Sequence, residues 1–156
     1  MIPKIKKILY ATDLSAGASH AFGYAMSIAI SNEARISIIN VYEKFSHNTN
    51  IQMRSQDFAS AKIKLTERIK ARLLEYSKKE GDSECYFTKF IENIYVTSGT
   101  PVEEIIDQAK DGNYDLIVMG THGHGFLYST LIGSNAKKMI QQSEIPVLVV
   151  RLPDKA

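Results

Sequence analysis

A glycine-rich segment in the last third of the chain carries the residue types best suited to chemistry. Gly120 and Gly123 are followed, after nine intervening residues, by the pair Gly133 and Ser134. Glycine lets backbone N–H groups approach a ligand without interference from a Cβ atom. An apolar run at 115–118, typical of a buried strand, precedes the segment, and a stretch with helical spacing follows it. Because a helix N-terminus adds unpaired N–H donors and a partial positive charge, this arrangement predicts a phosphate site.

The segment differs from the two most common phosphate-binding motifs. No lysine stands beside its glycines, as a P-loop requires, and the spacing of Gly120 and Gly123 is not that of the dinucleotide fingerprint. It also lacks a Ser-His-Asp arrangement, a Cys-His pair and paired carboxylates. We therefore expect a binding protein with no catalytic residues, in which hydrolysis of a bound phosphate compound is slow if it occurs.

Two histidines of this segment, His122 and His124, leave several roles open. Two imidazoles separated by one residue could chelate a metal ion, but no third ligand is close in sequence, and structural zinc requires four. Hydrogen bonding near a phosphate and plain exposure to solvent are the alternatives that we favour.

Predicted strands and helices alternate along the chain. Hydrophobic spacing predicts strands at 7–12, 35–41, within 86–97, at 115–118 and at 147–151, and helices at 16–31, 56–79, 100–110 and 135–143, with a polar loop at 43–54. We also expect Thr100 and Glu103 to form a capping box, and Ser134 to cap the last helix.

Strands separated by helices pair in parallel through right-handed crossovers. The expected fold is therefore α/β, an open doubly wound five-stranded parallel sheet with helices on both faces. Ligands of such sheets bind outside the carboxyl ends of the strands, where the strand order reverses. The ends of the first strand, at Ala11, Thr12 and Asp13, and of the fourth, at Met119 and Gly120, are thus expected to form one site.

The composition is that of an ordinary globular protein. With 156 residues, 44% hydrophobic and 23% charged, we expect one domain over 1–156. A net charge of +2 is too balanced to favour nucleic acid as a partner. No apolar run approaches the roughly 18 residues of a membrane span. The single cysteine, Cys85, excludes an internal disulfide and agrees with a cytoplasmic location.

Three segments together resemble the universal stress protein family, in its ATP-binding branch. The glycine segment matches the family spacing of Gly, two residues, Gly, nine residues and Gly-Ser, while 8–15 resembles its first strand and turn and 143–151 its last strand. The resemblance implies a Rossmann-like fold of the adenine nucleotide alpha hydrolase type. It further implies ATP as the ligand and a homodimer paired through strand 147–151, an apolar run that would form an unprotected sheet edge.

The resemblance also implies roles for individual residues. Asp13 would accept a hydrogen bond from the adenine amino group, with Met119 beside the ribose; the alternative for Asp13 is a turn residue or helix cap. Asp13 could also share Mg²⁺ or Mn²⁺ with the phosphates. The residues expected to bind ATP are Ala11, Thr12, Asp13, Val41, Met119, Gly120, His122, Gly123, His124, Gly133, Ser134 and Asn135.

Two positions depart from the family pattern. Relatives often carry Arg where this chain has His124, so a permanent charge beside the triphosphate is missing. Asn135 stands where an apolar residue is more usual, but it retains the backbone N–H.

The leading hypothesis is a nucleotide-occupied homodimer that acts in stress response or signalling. The alternatives are an ATP-hydrolysing or adenylate-forming enzyme of the wider group, and a nucleotide-free member that works through protein contacts.

Overall fold

The computed structural model describes residues 1–15, 17–43, 55–82, 86–121 and 132–151. Within them, strands alternate with helices as the sequence predicts. In chain order the elements are β1 (Lys7–Ala11), α1 (Ala18–Asn32), β2 (Arg35–Tyr42), α2 (Ser55–Lys79), a 3₁₀ helix (Tyr86–Phe90), β3 (Ile91–Ser98), α3 (Pro101–Asp111), β4 (Leu116–Gly120), α4 (Ser134–Gln142) and β5 (Val147–Val150). Most of the loop predicted at 43–54 lies outside the described residues.

All five strands pair in parallel, in the spatial order β3-β2-β1-β4-β5. β1 lies in the centre, with Ile8 opposite Ile36 on one side and Leu116 on the other. The Asp115 carboxylate fixes the start of this second pairing, because it accepts the backbone N–H groups of Lys6 at 2.8 Å and Lys7 at 2.9 Å. The strand order therefore reverses between β1 and β4, and the predicted doubly wound sheet is confirmed.

Helices cover both faces of the sheet. Successive strand residues point to opposite faces, so neighbours in β1 enter different apolar clusters. Ile8 and Tyr10 pack with residues of α1 and α2, among them Phe22 and Ile69. On the other face, the cluster that contains Leu9 is formed with α3 and α4. Burial on both faces explains why the central strands are almost continuously apolar.

Helix α3 begins at Pro101 as predicted, but the predicted capping box is wrong. Thr100 is the N-cap residue in an extended conformation, and its side chain makes no capping hydrogen bond. Instead, the Glu104 side chain folds back towards Gly99, where an added Cβ would lie 2.7 Å from the carboxylate. Gly99 has a φ of 149°, so both its backbone conformation and the available space favour glycine.

The longest helix, α2, is amphipathic. Ile69 is buried against the sheet, whereas Glu67 and Lys70 form an exposed ion pair. None of the helices in the described segments is both long enough and apolar enough to cross a membrane.

Candidate functional site

A cleft of about 490 Å³ opens at the carboxyl ends of the central strands. It lies where β1 and β4 diverge, next to the N-termini of α3 and α4. Nine of the predicted site residues line it together, namely Ala11, Thr12, Asp13, Val41, Met119, Gly120, Gly133, Ser134 and Asn135. The other three, His122, Gly123 and His124, lie outside the described residues.

The turn that follows β1 forms one side of the cleft. The Thr12 N–H donates to the Ile39 carbonyl, and the Asn40 amide donates to the Thr12 carbonyl, each at 2.9 Å. Leu14 adopts a left-handed conformation with a φ of 62°. This conformation costs about 1–2 kcal/mol for a residue other than glycine. Burial of the Leu14 side chain in the core, together with the hydrogen bonds of the turn, offsets that cost.

Asp13 stabilises this turn with its own side chain. Its Oδ1 accepts the Ser15 N–H at 2.9 Å, and the Thr12 hydroxyl oxygen accepts the Leu14 N–H at 3.1 Å. Asp13 thus has the turn role that the sequence left open. Its carboxylate is exposed at the cleft, and contact with a ligand stays a prediction.

The N-terminus of α4 forms the opposite side. Gly133 is the N-cap residue, so the prediction that Ser134 caps this helix is wrong; Ser134 is its first residue, and no side-chain cap is present. The first intrahelical bond runs from the Lys137 N–H to the Gly133 carbonyl at 3.1 Å. The N–H groups of Ser134, Asn135 and Ala136 precede that bond and therefore have no partner within the helix. All three residues line the cleft.

Gly120, at the end of β4, leaves space in the cleft. Among the described residues, a Cβ added there would meet a single atom within 4 Å, the Val150 carbonyl oxygen at 3.9 Å. Packing against the described residues therefore does not require glycine at this position. The absence of a side chain keeps this part of the cleft open.

The remaining wall is apolar. Ala11, Val41 and Met119 belong to the cluster on the α3 and α4 face, where Pro101 and Ile105 of α3 join them around the cleft. Sequence reasoning missed these two α3 residues, although the predicted helix start at Pro101 follows a strand whose carboxyl end lies at the same edge of the sheet. It also missed Ser15, Gly17, Ala18, Ile39, Asn40, Glu43, Thr121 and Ala136.

The described lining of the cleft carries acidic but no basic side chains. Asp13 and Glu43 are its charged members. Within the described ranges, no group of three His, Cys, Asp or Glu residues could hold a metal ion. Among the described lining residues, the donors available to an anionic ligand are therefore backbone N–H groups and uncharged hydroxyl and amide side chains.

The comparison with known proteins agrees with this arrangement. The model of the universal stress protein family matches residues 4–151. The chain belongs to the universal stress protein family.

Individual relatives cover nearly the whole chain. Universal stress protein MJ0577 of Methanocaldococcus jannaschii is 31% identical, over 94% of each chain, and one from Thermus aquaticus is 30% identical, over 94% of this chain and 98% of its own. The solved structure of MJ0577 superposes with a TM-score of 0.72 at 28% identity and covers 98% of this chain and 100% of its own. A universal stress protein solved in complex with cAMP gives 0.66 at 23% identity, over 97% and 100%. These likenesses confirm the predicted fold.

Proposed function

We propose that this universal stress protein binds ATP in the cleft between β1 and β4. The observation that carries the proposal is the convergence on one cleft of an apolar wall, an exposed carboxylate and the open N-terminus of α4. The apolar wall suits the adenine ring, the carboxylate can accept a hydrogen bond from the adenine amino group, and the open helix N-terminus suits the anionic phosphate chain.

Each part of ATP has a place in the proposed complex. The adenine ring lies against Ala11, Val41 and Ile105, where it displaces water from apolar surface. Asp13 accepts a hydrogen bond from the adenine amino group, as the family resemblance implies. The phosphates lie beside Ser134 and the following N–H groups, where the helix dipole favours negative charge.

A divalent cation fits the charge of this site. Asp13 and Glu43 repel a polyphosphate unless positive charge lies between them. Mg²⁺ and Mn²⁺ bind few carboxylates together with phosphate oxygens, so a cation carried by ATP would convert this repulsion into attraction. ATP should therefore bind together with Mg²⁺ or Mn²⁺. One carboxylate cannot contact both the adenine amino group and a cation at the phosphates, so ligation of the ion by Asp13 is the alternative to its contact with adenine.

We further propose that the protein works as a homodimer through its nucleotide occupancy, in the cytoplasm, and not as an efficient enzyme. β5 forms the outer edge of the sheet next to β4, and Val147, Leu148 and Val149 are only partly buried there. Pairing of this edge with the same edge of a second copy would cover it by an isologous contact.

Calorimetric titration of the full chain with ATP and Mg²⁺ tests nucleotide binding. We expect sub-millimolar affinity, with ADP and cAMP as comparison ligands that measure the contribution of the phosphate chain. Native mass spectrometry of freshly purified protein should show a dimer with copurified nucleotide. The absence of both binding heat and a thermal shift at millimolar ATP would contradict the proposal.

A further inference from the structure

Arg72 of α2 reaches the turn that borders the cleft from the opposite face of the sheet. Its Nη1 donates to the Ser15 carbonyl oxygen at 2.9 Å, across 57 positions of sequence. The apolar wall of the cleft lies on the α3 and α4 face, whereas α2 packs on the other. Arg72 thus contacts the turn of the cleft without lining the cleft itself.

The Ser15 backbone connects Arg72 to the rest of the turn. The Ser15 carbonyl also accepts the Ala18 N–H at 3.2 Å, a longer bond than the one from Arg72. The N–H of the same residue, Ser15, donates to the Asp13 carboxylate. Two hydrogen bonds, joined through the Ser15 backbone, therefore connect the Arg72 guanidinium to the Asp13 carboxylate in the cleft.

The conformation that these hydrogen bonds hold is a strained one. Leu14, between Asp13 and Ser15, has a φ of 62°, which a residue other than glycine keeps only when its surroundings fix it. A hydrogen bond from a charged guanidinium is stronger than one between neutral groups, because the donor carries a full charge. Tyr10 adds a neighbouring contact, since its hydroxyl donates to the Ala18 carbonyl at 2.5 Å.

We infer that Arg72 is a positioning residue for nucleotide binding, which holds the turn in the conformation that directs Asp13 into the cleft. The inference rests on the proposed ATP site. If Arg72 has this role, a change on the α1 and α2 face of the sheet alters nucleotide affinity through α2. A cavity of about 590 Å³ between α1 and α2, which Arg72 lines with Tyr10 and Tyr76, lies on that face.

The test compares Arg72→Gln with Arg68→Gln in calorimetric titrations with MgATP. Arg68 is exposed one turn earlier on the same helix and serves as the matched control. We expect Arg72→Gln to weaken ATP binding roughly tenfold, the scale of a lost charge-assisted hydrogen bond, and Arg68→Gln to leave it unchanged. Wild-type affinity in Arg72→Gln would overturn the inference, whereas no binding by the wild-type protein would instead overturn the proposed function.

A double-mutant cycle separates positioning from general loss of stability. If Arg72 acts through Asp13, the Arg72→Gln change should lose most of its effect on ATP affinity in an Asp13→Asn background. In a Gly120→Ala background the same change should keep its full effect. Equal effects in both backgrounds would contradict positioning through Asp13.

A second variant keeps the test decisive where Arg72→Gln does not fold, as judged by circular dichroism. Arg72→Lys retains the positive charge but offers a point donor in place of the planar guanidinium. We expect a smaller loss of ATP affinity, roughly threefold on the same scale. Wild-type affinity in this variant, with Arg72→Gln unfolded, would show that the residue serves stability and would overturn the inference.

Discussion

Gly133 donates its backbone N–H to the carbonyl oxygen of Thr121 at 2.8 Å. This bond ties the residue that follows β4 to the N-cap of α4, so both ends of the glycine segment are fixed at the same rim of the cleft. Thr121 is held in turn, because its N–H donates to the Val150 carbonyl at 3.0 Å. Substitutions at Gly120 and Gly133 therefore test the same rim of the cleft from two elements, β4 and α4.

Replacing Gly120 with Val should weaken ATP binding at least tenfold and leave the fold intact. The added Cβ has room among the described residues, with its nearest contact at 3.9 Å, so the larger side chain would extend into space that the proposed ligand needs. Isothermal titration gives the affinity and circular dichroism the fold. Gly23→Ala is the control, because Gly23 lies on α1 away from this cleft. Unchanged affinity in Gly120→Val would place the ligand elsewhere.

Replacing Gly133 with Val tests the other end of the glycine segment, at the N-cap of α4. The φ of −60° and ψ of 156° are open to valine, so the backbone conformation at this position does not require glycine. We expect a loss of about 1 kcal/mol in stability at this cap position and a fall of ATP affinity of at least tenfold. Thermal unfolding and titration on the same sample separate the two effects. If ATP affinity falls only by the amount that the loss of folding stability explains, the ligand does not contact Gly133.

Asp13→Asn should separate the turn role of Asp13 from its ligand role. The Asn side-chain oxygen can still accept the Ser15 N–H, so the turn and the melting temperature should change little. The loss of negative charge removes the proposed cation ligand, and the gain in ATP affinity on adding Mg²⁺ should fall roughly tenfold. Titrations with Mg²⁺ and with EDTA measure this gain. An identical Mg²⁺ dependence in the variant would contradict a metal role for Asp13.

Val149→Lys should convert a dimer into a monomer. Val149 lies within the apolar run of β5 at the outer edge of the sheet and is only partly buried within one chain. A lysine at a two-fold interface brings two like charges together and leaves them without water. Sedimentation velocity at tens of micromolar measures the change, and Lys138→Glu on the exposed side of α4 controls for altered charge. A monomeric wild-type protein would show that this edge is not paired.

The sequence predicts the elements well because their signals are local. The apolar, β-branched residues of β2 and β4 indicate buried strands wherever they occur, and Pro101 marks a helix start through its own geometry. The glycine spacing locates the cleft because backbone access depends on the absence of a side chain. Strand ends are adjacent in a parallel sheet, so Asp13 and Met119 could be placed together before any coordinates were known.

What the sequence does not predict depends on contacts between distant residues. The left-handed Leu14 is set by burial of its side chain, and the Arg72 bond to Ser15 joins residues 57 positions apart. Neither feature leaves a pattern in neighbouring residues. The two capping predictions were wrong because a suitable residue type does not fix the local conformation. Thr100 is the N-cap residue but makes no side-chain bond, and α4 begins at Ser134, so that Gly133 is its N-cap residue.

The position of β1 has a consequence for synthesis of the chain. β1 is made first and pairs with β2, yet its other edge waits for β4, and Asp115, directly before β4, lies 108 positions after Lys7. Until the ribosome has released that strand, the nascent chain exposes an open, apolar edge at the centre of its future sheet. The proposed ATP site is completed later still, after α4 has emerged, so a truncated product would carry the aggregation hazard of the fold without a complete site.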